Sequence, residues 1–284
     1  MPRRWTATAA ASLAALVAIG TAGCDPRTSA GNSAARPSAG LPSSMAALGD
    51  SITAGYGSCV ALVTCGRNSW STGDGGIVDS HYRRIRAGNP AIRGHATNLA
   101  AARARAAALA DQATRAVAAR PAYVTILIGA NDACHGTIDQ MTPVADFRSA
   151  VDRGLATLKD GLPSARVLVA SIPDLNRLWE VGHDSRLARN AWSHGLCPAL
   201  LANPTSTAPA DTARRRAFAA RVDAYNRELA AACRAYGRKC RYDGGAVHRV
   251  RFTLDDINGI DFFHPNVTGQ SRLAKATWPT RFTW

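Results

Sequence analysis

Met45–Thr53, MAALGDSIT, is the stretch on which the reading of this chain turns. Small apolar residues run into Gly49, Asp50 and Ser51, and a helix-compatible segment follows. A serine therefore falls where a buried strand meets the first turn of a helix. Backbone N–H groups at a helix N-terminus lack intrahelical acceptors and point at whatever binds there, which favours a hydroxyl and any negative charge developing beside it. The same residues also suit an ordinary strand-to-helix turn in which Ser51 is only a cap.

Two later stretches weigh toward chemistry. Tyr123–Ile128 has the character of a buried strand and runs directly into Gly129, Ala130, Asn131 and Asp132. Near the C-terminus, DFFHP places Asp261 three residues before His264. In a turn-like segment, positions i and i+3 share a side, so the carboxylate can reach its own histidine. A serine, a base to take its proton, a carboxylate to orient the base and an amide to hold an oxyanion are the parts of a nucleophilic hydrolase.

Around these points strands alternate with helices, a pattern that calls for an α/β fold with a parallel sheet covered on both faces. A short strand is predicted at Ile92–Ala96. Asn98–Arg120 then reads as an alanine-rich helix with Leu99, Leu109, Ala113 and Val117 toward the core, ended by Pro121. Val144, Phe147, Val151, Leu155, Leu158 and Leu162 recur at helical spacing, and Arg166–Ala170 forms a fourth strand. After Pro173 helical and loop readings compete. Thr212–Tyr236 is a helix with Asp211 as its cap and Phe218, Val222, Tyr225 and Leu229 on its core face. Cys240–Asp243 makes a fifth strand, and Thr268–Thr277 a last helix. Trp70 suits either a substrate wall or a packed loop.

The motifs LGDS at Leu48–Ser51, GAND at Gly129–Asp132 and DFFHP at Asp261–Pro265 together resemble those of the SGNH (GDSL-type) hydrolases. RNSWSTG at Arg67–Gly73, SIPDL at Ser171–Leu175 and the cysteine placement resemble the family's secreted bacterial branch, and the likeness runs from Met45 to the C-terminus. The resemblance implies a three-layer α/β/α SGNH hydrolase fold with a five-stranded parallel, flavodoxin-like sheet ordered 2-1-3-4-5. It implies a serine esterase acting on short-chain or lipid acyl esters, with Ser51 as nucleophile, His264 as base and Asp261 orienting the imidazole. Asn131 and the Ser51 N–H would hold the oxyanion, while Gly49, Asp50, Gly129 and Asp132 support the turns. The family's second motif has an oxyanion-donating glycine after an Asn-Leu-Ala run; aligning on Asn98, Leu99 and Ala100 puts Arg103 there. A backbone donor survives that change, since only proline lacks one. The rival readings are a carbohydrate O-deacetylase and a binding protein with a degraded site.

Residues 1–23 are predicted to be a signal peptide: MPRRW is basic, and an apolar run and small residues precede Cys24. TAGC resembles a bacterial lipobox with Thr21 where leucine is preferred, making Cys24 a candidate for lipidation and a membrane tether. Residues 24–44 are predicted to be a disordered tether, rich in Ser, Ala, Gly and Pro, and residues 45–284 the hydrolase domain. Export suits the six remaining cysteines, Cys59, Cys65, Cys134, Cys197, Cys233 and Cys240, which allow fifteen pairings. Short loops favour joining Cys59 to Cys65 and Cys233 to Cys240. The family resemblance implies sequential pairing throughout, adding Cys134 with Cys197.

Lys and Arg total 34 against 20 Asp and Glu, but the charge is spread along the chain, with no basic block or aromatic platform to suggest a nucleic-acid partner. The seven histidines form no HExxH or similar metal set. Thr53 stands where a G-x-S-x-G hydrolase would need its second glycine. No cofactor is implied, and a monomer acting on a small-molecule or lipid ester is expected.

Overall fold

Residues 40–59 and 61–284, with Met1, are described by the computed structural model. Five strands, β1 (Met45–Gly49), β2 (Ala96–Asn98), β3 (Tyr123–Leu127), β4 (Arg166–Val169) and β5 (Cys240–Tyr242), pair in parallel in the order β2-β1-β3-β4-β5. Among the described residues ten helices accompany them: α1 (Ser51–Ala54), α2 (His81–Gly88), α3 (Leu109–Ala119), α4 (Ala130–Ala133), α5 (Val144–Gly161), α6 (Asn176–Gly182), α7 (Arg186–Trp192), α8 (Pro198–Leu201), α9 (Pro209–Tyr236) and α10 (Val267–Thr277).

Every residue of β1 and β3 is buried, as a sheet covered on both faces requires. Alternation along the strands divides them between two apolar clusters. Ala46, Leu48, Val124 and Ile126 join the large core that Leu109 of α3, Phe147 of α5 and Phe218 of α9 complete. Met45, Tyr123 and Leu168 join Tyr82 and Ile85 of α2, Ile92 and Phe282. Buried His81 ties the second face together, its ring nitrogens lying 2.9 Å from Tyr123 Oη and 2.9 Å from Thr277 Oγ1 of α10. Burial lowers that imidazole to about 3. This is the three-layer α/β/α arrangement with the flavodoxin-like strand order.

Several boundaries differ from the sequence-based expectation. The second strand is Ala96–Asn98, not Ile92–Ala96. Pro90–Ile92 instead makes a 3₁₀ turn with Asn89 Oδ1 accepting from Ala91 N, and Gly94 (φ +80°) turns the chain before the strand begins. Asn98–Arg120 is not one helix: Asn98 ends β2, Ala106–Ala108 is a 3₁₀ turn, and α3 starts at Leu109. Helix propensity loses there to tertiary bonds, since Asn98 donates to Thr53 O (2.9 Å) and accepts from Ala100 N (3.1 Å). The helix α9 starts at Pro209, so Asp211 lies in its first turn, bonded to Arg214 and Asn203, and is not its cap.

The competing readings after Pro173 resolve into α6, α7 and α8. Trp70 is fully buried, its Nε1 3.3 Å from Thr53 Oγ1, so it is a core residue and not a substrate wall. Gly40–Ser44, placed with the tether by composition, are held by the sheet edge: Ser44 accepts from Ala122 N and Tyr123 N, and Asn89 donates to Leu41 O and Pro42 O. The signal peptide expected over residues 1–23, Cys24 and the expected tether up to residue 39 lie, Met1 apart, outside the described residues.

Candidate active site

Parallel pairing sets Gly49 opposite Leu127, so the GDS and GAND turns leave neighbouring strands at one edge of the sheet. Gly49 has φ +147°, and a Cβ there would lie 2.1 Å from Leu127 O. Only glycine lets the two backbones approach this closely. The Gln112 side chain of α3 clamps the same residue from both sides, accepting from Gly49 N (2.7 Å) and donating to Gly49 O (2.9 Å). Gln270 of α10 accepts from Trp70 N (2.9 Å) and donates to Ile52 O (2.8 Å), bracing α1.

Asp50 is fully buried and caps α1 through Ile52 N (2.9 Å). Burial pushes its carboxyl up to about 7; the Ile52 N–H opposes the rise and the nearby Asp132 adds to it. Burial also raises Asp132, whose Oδ2 accepts from Ala106 N (2.9 Å). Ser51 follows, 7% exposed, with Oγ 3.0 Å from His264 Nε2. His264 Nδ1 lies 2.6 Å from Asp261 Oδ2, and Asp261 Oδ1 accepts from Phe263 N (2.9 Å) and His264 N (3.1 Å). Both carboxylate oxygens are therefore engaged within the DFFHP turn.

That turn is held from outside. Asn258 donates to Gly57 O (2.6 Å) and accepts from Ile260 N (2.8 Å), and its N–H meets His264 O (2.8 Å). Trp192 Nε1 of α7 donates to Phe262 O (3.0 Å), while the Tyr56 ring sits 4.7 Å from the imidazole. Gly57 leaves room for the histidine, since a Cβ there would lie 3.1 Å from His264 Cβ.

Asn131 extends from the GAND turn, where Gly129 (φ +121°) has no space for a Cβ, which would lie 2.5 Å from Ile172 Cδ1. One Asn131 amide proton goes to Ala104 O (3.0 Å). This bond joins the GAND turn to the segment carrying Arg103, whose backbone takes φ +64°, the left-handed region that glycine favours. Among the described residues, neither Ser51 N nor Arg103 N has an acceptor. The structure thus gathers Ser51, His264, Asp261, Asn131 and Arg103, with Gly49, Asp50, Gly129 and Asp132 behind them. Sequence reasoning missed Gln112, Gln270, Asn258 and Trp192. Gln112 carried a signal, a lone amide on the core face of α3 beside Leu109 and Ala113; Asn258 carried none.

Two cavities meet at Ser51. One is a narrow slot with apolar walls of Leu175, Leu178, Val181 and Phe252. The other, of about 300 Å³, is bounded by Tyr56, Leu62, Arg103, Leu196 and the Cys134–Cys197 bridge. Cys59 pairs with Cys65 and Cys233 with Cys240, so the pairing is sequential, at Cα separations of 5.9, 4.6 and 5.4 Å in chain order.

Residues 45–277 match the family of GDSL-like lipases/acylhydrolases. The chain belongs to that family. Family members are generally ester hydrolases, so an ester substrate follows at that level of detail. A GDSL-like lipase candidate from Parabacteroides merdae shares the fold, with TM-score 0.50 and 17% identity over 82% of this chain and 92% of that one. An acetylxylan esterase from Geobacillus stearothermophilus gives 0.48 and 15% over 82% and 91%, and an extracellular lipase from Streptomyces rimosus 0.44 and 17% over 83% and 99%. No curated protein matches the sequence.

Proposed function

We propose that this family member is a serine esterase that hydrolyses carboxylic esters through an acyl-enzyme on Ser51. The observation that carries the reading is the continuous relay from Ser51 Oγ to His264 Nε2 (3.0 Å) and from His264 Nδ1 to Asp261 (2.6 Å). With Nδ1 protonated toward Asp261, Nε2 is free to accept the serine proton. Ser51 Oγ attacks the ester carbon, and the carbonyl electrons move onto oxygen, where the N–H groups of Ser51 and Arg103 and the Asn131 amide receive them. The imidazolium then protonates the leaving alcohol. Water repeats the sequence on the acyl-enzyme, releasing the acid and restoring Ser51.

The apolar slot suits the acyl chain, because Leu175, Leu178, Val181 and Phe252 offer it only hydrocarbon. Export through a signal peptide over residues 1–23, with Cys24 as a lipid anchor, fits the three disulfides, which persist in oxidising compartments. Among the described residues no helix is long and apolar enough to cross a membrane. The test is a panel of p-nitrophenyl esters of rising acyl length beside acetylated sugars, with a fluorophosphonate probe. Ester turnover and labelling at Ser51 alone, both lost in Ser51→Ala, are expected. Turnover confined to acetylated sugars favours the O-deacetylase; labelling elsewhere, or inertness toward every ester, refutes the assignment.

A further inference from the structure

We infer that Arg103 is a specificity residue that selects esters bearing an anionic group, phosphate or carboxylate, on the alcohol side. The inference rests on the esterase reading and extends it to the second cavity. If the acyl chain occupies the apolar slot, the leaving alcohol lies in the wider space that Arg103 lines with Ser51 and His264.

The charges of that space are unbalanced. Arg103 and Asp261 are the charge-bearing side-chain types on its wall beside the His264 imidazole. Both Asp261 oxygens are consumed, one by His264 Nδ1 and the other by the N–H groups of Phe263 and His264. The Arg103 guanidinium forms no ion pair or hydrogen bond among the described residues. The apolar slot differs, since its Arg177 is spent on Glu180 and Phe252 O and its Asp174 pairs with Arg251. A guanidinium offers two parallel N–H donors to a phosphate or carboxylate, the match that makes arginine the usual partner of such groups.

The backbone adds an independent observation. Arg103 keeps φ +64°, a conformation unfavourable for a residue with a side chain and nearly free for glycine. The strain is held in place by neighbours: Asn131 on Ala104 O, Asp132 on Ala106 N, and Ala104 N on Ala101 O. A strained residue on the lip of a reaction site, where glycine would relax it, points to a use for its side chain.

The experiment compares kcat/KM for three butyrate esters with the same acyl group, whose alcohols are glycerol, glycerol 3-phosphate and lactate. Wild type is set beside Arg103→Gln, Arg103→Lys and Arg103→Gly, all of which keep the backbone N–H. Wild type should prefer at least one anionic ester over the neutral one by about tenfold or more. The ratio should fall toward unity in Arg103→Gln and Arg103→Gly, survive in part in Arg103→Lys, and shrink with added salt. The phosphate and lactate arms tell which anion fits. A wild-type ratio near one, or a ratio kept by Arg103→Gln, overturns the inference while leaving the esterase reading intact. If wild type cleaves no ester, the esterase reading fails separately, and calorimetric binding of the phosphate ester to Ser51→Ala decides the Arg103 question. Binding that is lost in Ser51→Ala/Arg103→Gln supports the inference; absent or unchanged binding overturns it.

Discussion

Replacing Asp50 with asparagine tests the electrostatics beneath the nucleophile. Asp50 is fully buried and its carboxyl is raised from 3.8 to about 7. Between those values the native state holds a proton that the unfolded chain has released. Its contribution to stability is therefore complete below about pH 4 and is lost as pH rises through about 7, at up to about 1.4 kcal/mol per pH unit. Asparagine keeps an oxygen for Ile52 N and cannot ionise. From about pH 5 to about pH 8 the stability of Asp50→Asn relative to wild type should climb by roughly 3 kcal/mol, the two units below pH 7 supplying nearly all of it. His81, lowered to about 3, runs oppositely, losing stability as pH falls below about 6.5, but it titrates in both proteins and drops out of the difference. Urea unfolding of the two proteins at each pH, disulfides intact, measures it. A difference that stays constant to within about 0.5 kcal/mol over this range refutes a raised Asp50.

Asn131→Ala should cost on the order of 10²–10³ in kcat, as removal of one oxyanion donor does, with KM changed far less. An equal loss through KM alone would make Asn131 a brace for Ala104 and not a donor. For export, Cys24→Ala should release a membrane-associated protein or block its processing in its own type of host. Wild type found only in the medium, with a mature terminus other than Cys24, excludes the anchor.

What was legible in the sequence was local. The relay of Asp261 and His264 sits within one turn, and the fixed offset of three residues is enough to imply their contact. The ends of β1 and β3 were legible because an apolar run followed by a polar turn marks the edge of a parallel sheet, and pairing of Gly49 with Leu127 then brings Ser51 and Asn131 together. Segments shaped by distant partners were not legible. Asn98–Ala108 has the composition of a helix, yet Thr53 O, Asp132 Oδ2 and Asn131 Nδ2 take its donors and acceptors and keep it open. No window of local sequence contains those partners.

The same division explains why the motif residues leave the substrate undefined. Ser51, Asn131 and their glycines are fixed by the sheet, where a side chain on Gly49 would strike Leu127 O. The walls around them come from elsewhere. Leu175, Leu178 and Val181 belong to the excursion after β4, Leu196 and Cys197 to the loop before α8, and Arg103 to the segment that sequence propensity assigned to a helix. In the proposed reaction the chemistry is thus carried by turns that the sheet constrains, and selectivity by segments that distant partners shape. Arg103 is where the two meet: in the proposed reaction its N–H serves the oxyanion, and its side chain lines the cavity wall. On that proposal, substituting this one residue, held in a left-handed conformation, changes which ester is preferred through the side chain, while every residue except proline keeps the backbone N–H.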